Sequence, residues 1–102
     1  MTDELTQALV DEWQVWVTEL RDHPLDGNEY IMMLQTRDDL AERLAVTGDS
    51  RAADEAEDVD VEFREVTVEM DHAGFDSIRS SGWWWRRLPA DDAARDYFLG
   101  RY

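Results

Sequence analysis

Val59-Asp60-Val61-Glu62-Phe63-Arg64-Glu65-Val66-Thr67-Val68-Glu69-Met70 has two readings, and the fold class turns on the choice between them. Extended back to Ala52, the apolar residues Ala52, Ala56, Val59, Phe63, Val66 and Met70 recur at spacings of 4, 3, 4, 3 and 4, the period of one helical face. Val59, Val61 and Phe63 also alternate as strand residues do, and so do Val66, Val68 and Met70, with a slip of phase at Arg64-Glu65. β-branched content favours strand. The unbroken stripe behind a Ser50 cap favours helix, although it strands Val61 and Val68 off the main face. The helical reading predicts a third helix from about Ser50 to Ala73. The protein is then mostly α, a small antiparallel helical domain with a Trp-rich C-terminal segment. The alternative is α+β, with strands near 29–35, 59–70 and 83–88.

Upstream, Leu5, Leu9, Trp13, Trp16 and Leu20 fall on one face of a helix from Thr2 to about His23, with Ala8 and Val17 beside them. Thr2 or Asp3 caps it and Pro24 ends it. Pro24-Leu25-Asp26-Gly27-Asn28 has turn composition, and Asp26 with Glu29 has capping-box spacing. Tyr30, Met33, Leu34, Arg37, Leu40, Ala41 and Leu44 then carry a second long helix to Gly48. A strand over Glu29–Gln35 competes, but Met, Leu and Gln prefer helix. Gly74 is a helix stop, and Phe75–Gly82 reads as a loop. Pro89-Ala90-Asp91-Asp92 opens a short helix over Ala93–Leu99 that ends at Gly100.

A chain of 102 residues makes one domain, with an acidic body over 1–82 and an aromatic, arginine-bearing tail over 83–102. The body holds 22 of the 25 acids against 6 arginines, a net of −16; the tail nets +1. A total of −15 repels phosphate backbones, so no direct nucleic-acid binding is expected. No apolar run reaches membrane-span length, and Met1-Thr2-Asp3-Glu4 lacks the features of a signal peptide. A cytoplasmic protein without membrane contact is the expectation. All ten cations are arginine, and aspartate outnumbers glutamate fifteen to ten. A salt-rich cytoplasm, a GC-rich genome or mimicry of nucleic acid would each produce that bias.

Gly82-Trp83-Trp84-Trp85-Arg86-Arg87 carries the most functional information. Aromatic residues and arginine dominate interface hot spots, so Trp83, Trp84, Trp85, Arg86 and Arg87 are the candidate binding residues, for a protein partner or a second copy. Three adjacent rings cannot all share one side of a regular element. An extended segment would place Trp83 and Trp85 on the core and Trp84 opposite, with the arginines pairing to body carboxylates. Glu69 and His72 have E-x-x-H spacing, and His23 with Glu19 is the complementary pair on the first helix. A dinuclear carboxylate site needs that spacing twice and two further glutamates, so no metal or cofactor is expected. Cysteine is absent, which excludes thiol catalysis and thiolate metal sites.

Asp76-Ser77-Ile78 resembles the Asp-Ser-Leu attachment site of acyl carrier proteins, which are also small, acidic and helical. The resemblance covers three residues. In that family the serine begins the second helix, with roughly half the chain still to come, whereas Ser77 sits late. The carboxylate pairs Asp11/Glu12, Asp38/Asp39, Asp54/Glu55 and Asp91/Asp92 have no pattern that distinguishes them from solvated helix faces. The expectation is a non-catalytic acidic interaction or regulatory protein that occupies a basic groove of a partner. The alternatives are a salt-adapted protein with a Trp-patch interface and a small metal-assisted enzyme.

Overall fold

A computed structural model describes residues 3–69 and 82–99. The protein is mostly α: helices α1 (Glu4–Asp22), α2 (Gly27–Thr47), α3 (Ser50–Glu65) and α4 (Asp92–Leu99) accompany a two-stranded antiparallel sheet of β1 (Thr67–Glu69) and β2 (Arg87–Pro89). Between the strands in the chain comes a 3₁₀ turn, Trp83–Arg86.

Side-chain oxygens set the helix starts, since the first turn of any helix leaves its N–H groups without carbonyl partners. Asp3 accepts from Thr6 N at 2.8 Å. Asp26 and Glu29 form the expected capping box, at 2.8 and 3.2 Å. α3 is capped by Asp49, which accepts from Ala52 N at 3.0 Å, so Ser50 is the first helical residue rather than the cap. Asp91 accepts from Ala94 N at 2.9 Å at the start of α4. Gly48 ends α2 at φ +62°, a left-handed conformation that favours glycine.

α1 is the hub. Asp3 meets Arg43 at 3.0 Å, so α1 and α2 run antiparallel. Gln7 reaches Glu55 and Gln14 reaches Glu62, equal steps in the same direction, so α1 and α3 run parallel. The inward stripe of α1 is Thr6, Val10, Trp13, Val17 and Leu20. That face is rotated from the expected one: Leu5 is exposed, and Leu9 and Trp16 lie at the margin. Trp13 sits at the centre, its ring 5.1 Å from Phe63 of α3.

Two sequence expectations fail after α3. The helix ends at Glu65, where the strand reading has its phase slip, instead of continuing to Ala73. Val66 N donates to Phe63 O at 3.2 Å, and the Thr67 hydroxyl donates to the same carbonyl at 2.7 Å, closing the last turn. Thr67, Val68 and Glu69 then pair with Pro89, Leu88 and Arg87. The α+β alternative also fails in part, because 29–35 is helix and, among the described residues, the strands cover only 67–69 and 87–89. Met70–Ala73, the Gly74 stop and most of the Phe75–Gly82 loop lie outside the described residues, as does the Asp76-Ser77-Ile78 motif.

Candidate functional site

The tryptophan block folds as a 3₁₀ turn, not as an extended segment, and this changes which rings face inward. Trp84 and Trp85 are both buried, at 6% and 5% exposure, and Trp83 is half-buried. In a 3₁₀ turn, three residues complete one revolution, so successive rings leave at about 120° to one another instead of on opposite faces. The expected placement of Trp84 away from the core is therefore reversed. Gly82 makes the entry possible: a Cβ there would overlap the buried Trp84 ring.

One carboxylate receives both inward indoles. Trp84 Nε1 donates to Asp38 Oδ1 at 2.8 Å, and Trp85 Nε1 donates to both oxygens of Asp38 at 2.9 and 3.0 Å. Asp38 belongs to α2, so the turn is clamped against that helix. Trp83 leans the other way, toward α3, with its ring centroid 5.9 Å from Phe63 and Arg64 stacked over it at 4.1 Å. The tryptophan turn thus contacts both α2 and α3.

Beneath the turn lies a buried polar cluster. Arg37 of α2 meets Asp60 of α3 through two parallel hydrogen bonds, Nε to Oδ1 at 2.9 Å and Nη2 to Oδ2 at 3.0 Å. Trp13 Nε1 of α1 donates to the same Asp60 Oδ1 at 2.9 Å. The Arg37 guanidinium lies 4.3 Å from the Trp84 ring centroid. One charge pair therefore joins α1, α2, α3 and the tryptophan turn. Arg37 stood on the apolar stripe of α2 in the sequence, but nothing local marked Asp60 as its partner or Asp38 as the acceptor of the indoles.

Among the described residues the arginines of the block do not pair with body carboxylates. Arg87 donates through Nε to Thr67 Oγ1 at 2.8 Å and through Nη2 to the carbonyls of Thr67 and Arg64 at 3.0 and 3.3 Å. Its own carbonyl accepts from the Tyr30 hydroxyl at 2.9 Å. Burial pushes the Tyr30 phenol far above its ordinary range, with nearby Arg87 opposing, so this group stays a hydrogen-bond donor. Arg86 is exposed. Arg64, Arg86 and Arg87, with Trp83 and Glu69, line a cleft of about 350 Å³.

The residues of the metal reading do not share a helical face. Glu69 is in β1, and His72 lies outside the described residues. His23 closes α1 and is exposed, with Nε2 2.7 Å from Glu19 Oε2 and Nδ1 3.2 Å from the Pro24 carbonyl. That carbonyl, and then the Glu19 carboxylate, raise its pKa above the ordinary value of 6.5. Among the described residues, no group of three or more His, Asp or Glu is placed to hold a metal ion. No helix among them is long and apolar enough to cross a membrane.

Of the five candidate binding residues, Trp84 and Trp85 are consumed in packing, while Trp83, Arg86 and Arg87 border the cleft. Arg64 joins them, which the sequence did not indicate because it was read only as part of the helix-to-strand slip. Compared with known proteins, the chain matches no family model, no curated protein and no solved structure.

Proposed function

We propose that this is a non-catalytic cytoplasmic interaction protein that presents carboxylates to a basic groove of a protein partner. One observation carries the reading. On the outward side of α3, Asp54, Glu57, Asp58 and Glu65 are all exposed, and none makes an ion pair among the described residues. The inward-leaning acids of the same helix are engaged instead: Glu55 with Gln7 and Arg51, and Glu62 with Gln14 and Arg21. Asp54 and Asp58 are one helical step apart, a rise of about 6 Å, with Glu65 further along the same face. A rigid row of like charges costs self-repulsion and gives the bundle no packing in return. It steers a cationic partner and accelerates its association.

The composition supports a second reading, in which the charge is adaptation to a salt-rich cytoplasm, since lysine is absent and aspartate is abundant. A single experiment separates the two. Immobilised protein should retain a basic protein from a lysate of its own cells at moderate salt and release it as salt rises. The variant Asp54→Asn/Glu57→Gln/Asp58→Asn/Glu65→Gln should lose that protein while keeping its fold. Retention indifferent to salt, or equal retention by the variant, would sink the acidic-row reading. Unfolding of the parent protein in dilute buffer would instead favour solvent adaptation.

A further inference from the structure

In so acidic a chain, an arginine without a carboxylate partner among the described residues is an anomaly, and three of them line one cleft. Arg21, Arg37, Arg43, Arg51 and Arg95 each lie within ion-pair distance of an Asp or Glu. Among the described residues Arg64, Arg86 and Arg87 do not, and they border the same space of about 350 Å³ together with Trp83 and Glu69. Two of the three guanidiniums are held in place. The Arg64 Cζ lies over the Trp83 ring, 4.1 Å from its centroid, and Arg87 is fixed by Thr67 Oγ1 and two backbone carbonyls, leaving Nη1 out of those bonds. Arg86 is exposed at the rim.

From this arrangement we infer that the cleft binds the phosphate dianion of a small molecule. Among the described lining residues, three guanidiniums against the one Glu69 carboxylate leave two positive charges, the complement of a phosphate monoester at neutral pH. Arginine forks match phosphate oxygens with paired N–H donors, and the two fixed guanidiniums lose little freedom on binding. The volume is at the small end of ligand sites, which fits a compact phosphorylated molecule. Trp83 offers no open face for stacking, because Arg64 covers one side and Phe63 and Trp84 pack against the ring. Recognition is therefore by charge and hydrogen bonding, not by an aromatic base. The distant carboxylates of the body are screened beyond about 8 Å at physiological ionic strength, whereas the cleft arginines act at contact. This inference does not rest on the acidic-row reading and uses none of its residues.

The test is an NMR titration of the full chain with inorganic phosphate, phenyl phosphate and acetate at constant ionic strength and neutral pH. Either phosphate should produce saturable shifts centred on Trp83, Arg86 and Arg87, with acetate at least tenfold weaker. Tighter binding of inorganic phosphate would identify the free ion as ligand, and tighter binding of phenyl phosphate would identify a monoester. Arg86→Ala, which removes no side-chain hydrogen bond or ion pair among the described residues, should melt like the parent and bind phosphate about tenfold more weakly. Non-saturating shifts, acetate binding equal to phosphate, or unchanged affinity in Arg86→Ala would each overturn the assignment.

Discussion

Replacing Asp60 by alanine is expected to destabilise the protein by about 3–5 kcal/mol, the largest effect of any single carboxylate substitution in the bundle. The substitution leaves the Arg37 guanidinium buried without its countercharge and removes the acceptor of the Trp13 indole. A domain of this size has a total stability of about 5–15 kcal/mol, so much of the population would unfold on mild denaturation. The loss comes from an orphaned charge rather than from a strongly favourable pair. Replacing both members, as in Arg37→Met/Asp60→Leu, should therefore recover most of it. The remaining deficit is the unpaired Trp13 N–H, about 1–3 kcal/mol. Urea unfolding of the two single variants and the double variant measures this directly. A loss below about 1 kcal/mol in Asp60→Ala would contradict the buried-pair geometry.

Asp38→Ala should have the next largest effect, about 2–4 kcal/mol, because two buried indole donors lose their acceptor together. Asp38→Asn keeps one carbonyl oxygen facing the turn and should recover part of that loss. The denaturation midpoint of each variant gives the number, and tryptophan fluorescence reports whether the turn has lifted from α2. A turn that detaches while α1–α3 remain folded would show that the clamp is local. Stability in Asp38→Ala equal to that of the parent would mean that the tryptophans are held by packing alone.

These two carboxylates also mark where local sequence patterns stop being informative. The capping box at Asp26 and Glu29, the stop at Gly48 and the helix start at Asp91-Asp92 were legible because each is a contact between near neighbours in the chain, although Pro89, expected to open that helix, belongs to β2. The end of α3 was not. The stripe Ala52, Ala56, Val59, Phe63 continues through Val66 and Met70, yet Thr67 and Val68 leave the helix because Pro89 and Leu88, far along the chain, offer strand pairing. That competition is non-local. The face of α1 was misjudged for a different reason. Large residues at Leu5 and Trp16 outweighed the smaller Thr6 and Val10, which face the bundle interior. In the candidate site, adjacent rings were rightly expected to diverge, but an extended backbone was assumed. The 3₁₀ turn sends Trp84 inward and leaves Trp83 at the cleft. Nothing in the spacing joins Arg64 to Arg86 and Arg87, since the β1–β2 pairing brings them together.

The division of the tryptophan block into an inward clamp and an outward cleft is the claim on which the rest depends. Hydrogen exchange at the five indole N–H groups, resolved by NMR, tests it most directly. Trp84 and Trp85, bonded to Asp38, should exchange slowly, as should Trp13 on Asp60, while Trp83, with no indole hydrogen bond among the described residues, should exchange fast. Fast exchange at all three residues of the block would contradict the account, placing the whole Trp83–Trp85 run at the surface as an open binding patch.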